Sequence, residues 1–487
     1  MKIFRFKEQK GSLMIQAIVF GSISVLMIGG LISWAGINIK SGRVAMNREQ
    51  ALQVAEAGID YYRWHLAHAP TDYQDGTGVA GPYVHDFFDK EGVKVGEYSL
   101  EIIPPPVGFT IVTVRSTGTI IADPTVSRTI ETRLAIPSLA RYAIASNNDI
   151  RFGEGTEVFG PIHSNGGIRF DGLAHNLVTS SRDSYDDPDH TGAVEFGVHT
   201  HVNAPPSSGV NDTFRSAEAP PNAVPARTDV FVAGRQFPVP AIDFLGFTTD
   251  LAQIKTDAQA SGRYFAGSGA LGYRILLRTD DTFDLYRVNQ LTSASGSCTE
   301  STTGWGTWSI RTTGGSQTFL ANYAIPANGL VFVEDHVWVE GQVNSARITI
   351  AAGRFPDNAT TRPNIMINNN LLYTNYDGQD VVSLIAQGNI NAGLSSANNL
   401  RVDAALVAQN GRVGRYHYSS NCGTGYTRNS ITLYGMIASN QRYGFAYTDN
   451  TGYDTRDIIY DANLLYGPPP SFPLTSDQYQ IVSWREL

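Results

Sequence analysis

Few residues in this chain have the types and spacing that catalysis or metal binding requires. The densest group of metal-ligating residue types lies in one short segment: Asp186, Asp187, Asp189, His190, His199 and His201. Imidazole and carboxylate groups together can hold a transition metal. Since no fixed spacing to a helix or a strand pair accompanies them, the pattern favours a solvated loop. We therefore predict no metal site.

Recognisable catalytic motifs are also absent from the sequence. It contains no HExxH motif, no nucleophile elbow and no phosphate-binding loop. Asp335, Glu340 and Asp403 are carboxylates of the kind that polysaccharide-acting enzymes use, but a surface charge is usually only solvated. We predict a protein that is not an enzyme and binds no cofactor. A membrane-tethered enzyme acting on polysaccharide is the alternative.

Tyrosines near the C-terminal end are the candidates for ligand binding. Asparagine and arginine residues lie between these tyrosines, which are Tyr416, Tyr418, Tyr434, Tyr443 and Tyr447. Aromatic rings beside amides and guanidiniums suit a glycan or a protein surface as the ligand. The same side chains could equally fill a hydrophobic core, and both interpretations stay open.

Length and charge exclude several classes of protein. A chain of 487 residues suggests about two to four domains. The 48 glycines and the charged fraction of 17% are typical of a β-rich extracellular protein. The formal net charge is −9, and Lys255 is the only lysine after Lys94. Without a basic stripe to bind a phosphate backbone, we predict no nucleic-acid partner.

The N-terminal region predicts a membrane anchor. Residues 12–39 contain no charged residue and no histidine, and as a helix these 28 residues would span about 42 Å, more than the roughly 30 Å of bilayer hydrocarbon. Four basic residues precede the run, against a single Glu8: Lys2, Arg5, Lys7 and Lys10. This distribution predicts a single-pass protein with a cytoplasmic N-terminus and an exported bulk.

An amphipathic pattern continues directly beyond the apolar run. Apolar residues follow at close to helical spacing, namely Val44, Leu52, Ala55, Ile59, Tyr62 and Leu66. Pro70 ends the pattern. We therefore predict one long helix over 12–70, transmembrane in its first half and amphipathic in its second.

This segment resembles the N-terminal region of type IV pilins and type II secretion pseudopilins. The matching features are a basic leader over 1–11 that closes with Gly11, a mature start at Ser12, and Gln16 where most pilins have a glutamate. The stretch Gln50–Leu66 is most similar to the large minor pilins and the tip pseudopilin. A static single-span surface protein is the alternative interpretation.

The resemblance implies a processing and assembly route. A prepilin peptidase would cleave after Gly11, and the amine of Ser12 would be methylated. Before assembly, the chain would be held in the bacterial inner membrane. A pilus assembly platform would then insert it, with other pilins, into a pilus or pseudopilus at the cell surface.

Gln16 also predicts where in a filament the subunit lies. In pilins the glutamate neutralises the terminal amine of the neighbouring subunit, and glutamine cannot do so. The tip pseudopilin likewise lacks this glutamate, because no subunit lies ahead of it. The 350 residues that follow 137 would also clash if repeated along a closely packed shaft. Both arguments predict a minor, tip-located subunit. We further expect the β-solenoid region to be used for attachment.

Beyond the helix we expect a mainly β fold. A loop over 71–90 precedes an antiparallel meander, so that 71–137 completes the pilin module. Its predicted strands are Gly96–Ile103, Phe109–Thr119 and Thr125–Ile136.

A short phrase recurs after this module, an aliphatic followed by a polar turn of Asn and Gly. It occurs at Ile144–Asn148, Ile162–Gly166, Ile385–Asn389, Val407–Gly411 and Ile437–Asn440. Such repeats indicate stacked coils, with Asn and Gly supplying left-handed backbone at the corners. We predict a β-solenoid, similar to a β-helix, with its first coils over 138–180 and its main part over 329–447.

Two further segments complete the predicted organisation. An α+β insertion lobe over 181–328 contains a helix over 243–262, with Leu245, Leu251 and Ile254 on one side, and a hairpin of Tyr273–Leu277 and Phe283–Val288. The tail, 448–487, is expected to cap the last coil. Cys298 and Cys422 both fall in the exported part, where we expect a disulfide. Closing a loop of 124 residues would stabilise the fold by about 4–5 kcal/mol in the chain-entropy model.

Overall fold

The computed structural model describes residues 12–106, 108–190, 192, 194–203, 218–244, 247–474 and 478–487, with backbone only at 12 and 247–250. The predicted leader, with Gly11, and the predicted helix residue Leu245 lie outside the described residues. Two compact units are present. The first is drawn from Met1–Pro105, Ile111–Ala135 and Asp477–Leu487, and the second from Pro106–Thr110 and Ile136–Ser476.

The first unit consists of one long helix and an antiparallel sheet. Its elements up to residue 135 are α1 (Ser12–His68), β1 (Tyr83–Phe88), β2 (Lys94–Ile103), β3 (Val112–Ile120) and β4 (Asp123–Ala135). Neighbouring strands pair in chain order. Strand β1 falls within the predicted loop over 71–90, because Tyr83 to Phe88 pair with the free edge of β2.

The second half of α1 packs on this sheet with the predicted spacing. Ala55, Ile59, Tyr62 and Leu66 are at most 3% exposed, and α1 packs on β2, β3 and β4. The charged residues of the same stretch are exposed, as the period of 3.6 residues requires. The helix followed by an antiparallel sheet confirms this part of the predicted fold class.

A fifth strand of this sheet comes from the other end of the chain. The C-terminal strand, Gln480–Glu486, pairs antiparallel with β4. The segment 448–487, which we expected to cap the last coil, therefore divides. Its last residues belong to the first unit because β4 would otherwise have an unpaired edge. The first unit thus includes residues from both sides of the second unit in sequence.

The second unit is built from short strands. Up to residue 236 they are β5 (Ile144–Ser146), β6 (Ile150–Phe152), β7 (Thr156–Phe159), β8 (Ile162–Ser164), β9 (Ile168–Phe170), β10 (Leu173–Ala174), β11 (Val178–Ser180), β12 (Ser184–Tyr185), β13 (Glu195–Phe196), β14 (Val198–His199) and β15 (Arg235–Gln236).

The rest of the unit contains one α-helix and the longer strands. They are α2 (Phe247–Ser261), β16 (Arg263–Phe265), β17 (Gly272–Leu277), β18 (Thr282–Val288), β19 (Gln317–Ala324), β20 (Leu330–Val333), β21 (Val337–Val343), β22 (Arg347–Ala352), β23 (Ile365–Met366), β24 (Leu371–Tyr373), β25 (Val381–Ala386), β26 (Ile390–Ala392), β27 (Asn399–Ala408), β28 (Val413–Arg415), β29 (Thr427–Ser439) and β30 (Gly452–Tyr460).

Parallel pairing stacks these strands into coils. One ladder runs from β22 through β25, β27, β29, β5 and β8 to β11. Along it, aliphatic side chains lie directly above one another: Ile350, Leu384, Leu406, Ile437, Ile144, Ile162 and Val178. All seven belong to one buried core. Stacked parallel coils are the arrangement that the recurring phrase predicted.

The order of the coils in the stack differs from their order in the chain. Strands β5 and β7 pair with β29 and β30, so the first coils lie beyond the last ones. At the opposite end of the stack, β16 and β17 from the predicted insertion lobe pair in parallel with β20 and β21. The hairpin of β17 and β18 forms as predicted, as a continuation of the stack.

The recurring phrase shifts by one residue between Val407 and Ile437, whereas Ile385 pairs in register with Val407 and Ile437 with Ile144. Leu406, the residue before Val407, is the one that pairs with Ile437. Ile385 and Val407 therefore point to the outer face, where they join a second buried cluster. Leu251 and Ile254 of α2 belong to that same cluster. The insertion helix thus covers an apolar outer face of the stack.

The turns of the phrase use Asn and Gly for a different reason from the expected one. Gly388 and Gly411 do not have left-handed backbone angles. A β-carbon on Gly411 would come within 2.6 Å of the carbonyl oxygen of Gly388 in the next coil. Glycine is needed because the coils approach closely. Asparagine side chains bond between coils, as Asn165 does to Asn147 at 2.8 Å.

Candidate functional site

The first half of α1 is a long, continuous apolar surface. Every described side chain from Leu13 to Arg43 is exposed, and Leu26 and Ile32 keep 75% and 67% of their surface. It is one helix, long and apolar enough to cross a membrane, near the N-terminus of the chain. Exposed apolar surface of this extent requires a bilayer or other apolar helices to cover it.

Gln16 lies in this exposed half, and Ser12 begins the helix. The side chain of Gln16 is exposed on the surface of α1. It describes neither Gly11 nor the side chain of Ser12, so the predicted processing step stays a prediction.

Close approach of α1 to the sheet depends on a glycine. A β-carbon on Gly118 of β3 would lie 2.5 Å from the amide nitrogen of Ala55. On the neighbouring strand β4, the carboxylate of Glu131 accepts bonds from Arg115 at 2.8 Å and from Arg485 at 2.9 Å. The sequence pattern did not single out these residues. The distance of Arg485 from Glu131 in the chain removes any local signal for their contact.

Cys298 and Cys422 are joined by a disulfide across 124 residues. The bond ties a loop of the predicted insertion lobe to the segment after β28. This loop also packs along the stack, where the indole N–H of Trp338 donates to the carbonyl of Trp308 at 2.9 Å. It therefore covers a second outer face of the coils.

The five candidate tyrosines do not form one surface. Tyr416, Tyr418 and Tyr443 are at most 5% exposed, while Tyr434 and Tyr447 are half-buried. The ring of Tyr418 packs on the guanidinium of Arg415, which is itself fully buried. The alternation of tyrosine with arginine thus arises largely from core packing, the second of the two interpretations.

Two of these tyrosines border a polar groove of about 730 Å³. Its wall includes Tyr443 and Tyr447 together with guanidinium and carboxylate groups, among them Arg151, Arg412, Arg442 and Asp189. The groove lies where the first coils meet the last ones. It combines aromatic edges, hydrogen-bond donors and acceptors in one concave surface.

The three carboxylates considered for acid–base chemistry are all engaged in internal bonds. Asp335 accepts from Arg354 at 2.6 Å, and Glu340 pairs with Arg274. Asp403 accepts from the hydroxyl of Tyr376 at 2.7 Å. Each carboxylate fixes a neighbouring segment of the stack.

A buried cluster of histidine and aspartate lies beside strand β9. Oxygen and nitrogen atoms of Asp187, His199 and His201 lie within 4.8 Å of one another, and each residue is at most 2% exposed. The structure therefore corrects the expected solvated loop. His199 pairs in register with Arg169 of β9, which brings the segment against the coil.

Charged groups surround this cluster. Oδ2 of Asp187 lies 3.5 Å from Nε2 of His199 and 3.7 Å from Arg169. Arg169 donates more closely to Asp171, at 2.7 Å. Nδ1 of the neighbouring His190 lies 3.3 Å from Glu195.

Burial sets the protonation of the cluster. Burial, with the charges of Arg169 and His199 nearby, lowers the pKa of His201 to about 3. Burial alone would raise the pKa of Asp187, but the His199 ring and the N–H of Asp189 lower it below its ordinary value overall. At neutral pH the site therefore presents a neutral imidazole of His201 and an ionised carboxylate.

The sequence carried a signal for this arrangement. His199 and His201 are two residues apart, the spacing that places side chains on one face of an extended segment. Asp187 reaches them only because strands β12 and β13 turn the chain back. The pairing partner of these short strands could not be read from the sequence.

Comparison with known proteins adds little to these observations. No model of a protein family matches the chain, and no curated protein matches it. Among solved structures, the crystal structure of the competence-associated pilin ComZ from Thermus thermophilus is similar over 91% of this chain and 98% of that chain. The identity is 12% and the TM-score 0.32. A superposition this loose supports no argument about fold or function. The chain's own helix, packed on an antiparallel sheet, has the arrangement that the pilin resemblance implies.

Proposed function

We propose that this chain is a type IV pilin-like minor subunit, held in the inner membrane by α1 and then assembled into a pilus or a secretion pseudopilus. One observation carries the proposal: α1 is a single helix with two environments. Leu26 is 75% exposed, whereas Ala55 and Tyr62 are fully buried against the sheet. A helix of this kind is bound to a folded unit at one end and offers an apolar rod at the other.

The leader and the start of the mature chain favour assembly over a static anchor. A plain single-span protein needs the apolar rod but has no use for Lys10-Gly11 ahead of it or for Gln16 within it. The partners that follow are a prepilin peptidase, the assembly platform and other pilins.

Two arguments with different premises support a position at the filament tip. Gln16 cannot neutralise the terminal amine of a subunit ahead of it. The second unit, drawn largely from Ile136–Ser476, has room at an end but not at each step of a shaft.

Attachment is the role that we propose for the second unit. Its polar groove offers Tyr447, Arg412 and Arg442 in one concavity, a surface chemistry suited to hydroxyl-rich sugars. We infer no enzymatic activity, since the internal bonds of Asp335, Glu340 and Asp403 account for these carboxylates.

Shearing of surface filaments tests the assembly proposal. Wild-type chain is expected in the sheared fraction. Gly11→Val, which blocks the predicted cleavage step, is expected to stay in the membrane. Gly42→Ala is the matched control, because Gly42 is on the exposed side of α1 with no atom near its β-carbon position. Equal membrane retention of all three chains would favour a static anchor and contradict the proposal.

A glycan-array screen of the detergent-solubilised full chain tests the attachment role. Specific binding that is weakened by Arg442→Ala is the expected result. Shortening of a bound polysaccharide would instead support the membrane-tethered enzyme. Immunogold labelling of the second unit at filament ends, and not along shafts, is expected from the tip position.

A further inference from the structure

We propose that Asp187, His199 and His201 bind one divalent transition-metal ion. The proposal rests on the placement of the three side chains. His199 ends strand β14, His201 follows on the same face, and Asp187 comes from the turn between β12 and β13. Their candidate ligand atoms lie within 4.8 Å of one another.

The unmet bonding capacity of His199 points to a ligand. This residue is 0% exposed, and neither of its ring nitrogens reaches a hydrogen-bond partner among the described residues. Leaving a buried polar atom without a partner destabilises the folded state. The closest acceptor, Oδ2 of Asp187, is also buried and lies 3.5 Å from Nε2. An ion between the two groups would satisfy both.

The donor set selects the class of ion. Two imidazoles and one carboxylate are ligands that Zn²⁺ and its first-row neighbours prefer, whereas Ca²⁺ takes oxygen ligands only. Ligands at roughly 2.0–2.2 Å from Zn²⁺ are about 3.4 Å apart in a tetrahedron, so small side-chain movements close the present separation.

The charges around the cluster favour a cation. Four carboxylates occupy this region, those of Asp171, Asp187, Asp189 and Glu195. Three guanidiniums face them, those of Arg151, Arg169 and Arg442. The excess is negative. Arg169 competes weakly for Asp187, at 3.7 Å, because it bonds Asp171 at 2.7 Å.

The position of the cluster assigns the ion a structural role. The three residues are buried, and they join the segment after β11 to the coil that contains β9. Strand β14 is only two residues long, so its pairing with β9 contributes little to holding this segment in place. A bound ion would fix the fold of this end of the stack.

Metal titration of the tag-free, detergent-solubilised full chain tests the proposal, after chelator dialysis. We expect one equivalent of Zn²⁺ to bind and to raise the melting temperature. We expect Co²⁺ to give visible absorption bands of a nitrogen- and oxygen-ligated site, and Ca²⁺ to have no effect. Because the Co²⁺ spectrum is measured on the wild-type chain, this test does not depend on whether any variant folds.

Two variants and a control locate the ion. His199→Gln and Asp187→Asn are expected to weaken Zn²⁺ binding by more than the roughly 10–100-fold that loss of an outer-shell group costs. His175→Gln is the control, because His175 lies in the same coils and pairs with Glu157 outside the cluster. Absence of Co²⁺ bands in the wild type, binding that both variants retain in full, or an equal response to Ca²⁺ would each overturn the proposal.

Discussion

The guanidinium of Arg485 holds the carboxylate of Glu131, with Nε of the arginine 2.9 Å from Oε1 of the glutamate across 354 residues of chain. Arg115 donates to the second oxygen, at 2.8 Å. The contact joins the C-terminal strand to the sheet that packs on α1. The first unit, which contains α1, therefore includes a strand that follows the second unit in the sequence.

This contact predicts a pH dependence of stability. Hydrogen bonds from Arg115, and then from Arg485, hold the pKa of Glu131 below its ordinary value. The stabilisation is therefore present above the unfolded pKa, about 4.3, and is lost as the pH falls through the lower folded pKa. Glu131→Gln should lower the melting temperature at pH 7, by an amount that shrinks below about pH 4.3.

Thermal unfolding between pH 7 and pH 3 measures this difference. Glu91→Gln is the control, since Glu91 is a surface residue that pairs with the exposed Lys90. A difference between wild type and Glu131→Gln that widens on acidification would contradict the assigned bonds.

The helix–sheet contact at Gly118 predicts a cost for the smallest added side chain. Gly118→Ala would place a methyl group against the backbone of Ala55. Overpacking of this kind costs about 1–3 kcal/mol of unfolding free energy. Denaturant unfolding measures it, with Gly42→Ala on the exposed surface of α1 as the control. Equal stability of the two variants would show that α1 does not approach β3 this closely.

Removal of the disulfide should destabilise the second unit. Cys298→Ser or Cys422→Ser opens a loop of 124 residues, and loss of such a bond costs about 2–5 kcal/mol. Reduction of the wild-type chain should give the same loss. A double variant with both Cys298→Ser and Cys422→Ser has no disulfide left to reduce, so its denaturation midpoint should not respond to reductant. A response in the double variant would mean that the effect arises elsewhere.

The packing of α2 on the stack predicts a strong difference between two neighbouring positions. Leu251 is fully buried in the cluster that covers the outer face of the coils, so Leu251→Ala should cost about 2–5 kcal/mol. Gln253 is exposed and bonds Asp257, and Gln253→Ala should change stability by about 0.5 kcal/mol or less. Equal effects in chemical denaturation would place α2 away from the stack.

Local periodicity predicted the elements that depend on nearby residues. Ala55, Ile59, Tyr62 and Leu66 are the buried stripe of α1 because their spacing follows the helical repeat. The hairpin of Tyr273–Leu277 with Phe283–Val288 also forms, since a tight turn joins its strands. In both places the interacting residues are close in sequence.

The register of the stack could not be read in the same way. The recurring phrase identified the coils, but Ile437 pairs with Leu406 and not with Val407. A shift of one residue exchanges the inner and outer faces of a strand. Helix α2 covers the outer face of the main coils, which is therefore apolar. Nothing in the phrase itself indicates that a helix packs there.

Long-range pairing accounts for the remaining differences. Arg485 lies far from Glu131 in sequence, so local sequence pattern does not indicate that the end of the segment 448–487 pairs with β4. The buried cluster of Asp187, His199 and His201 depends on the pairing of two-residue strands. Strands this short carry no periodicity, so the chemistry-bearing residues were visible in the sequence while their arrangement was not.

The N-terminal peptide of chain recovered from sheared surface filaments tests the central claim most directly. Mass spectrometry should find a mature start at Ser12 with a methylated amine, in a fraction that also contains other pilins. A start at Met1, or absence of the chain from the sheared fraction, would contradict assembly through α1.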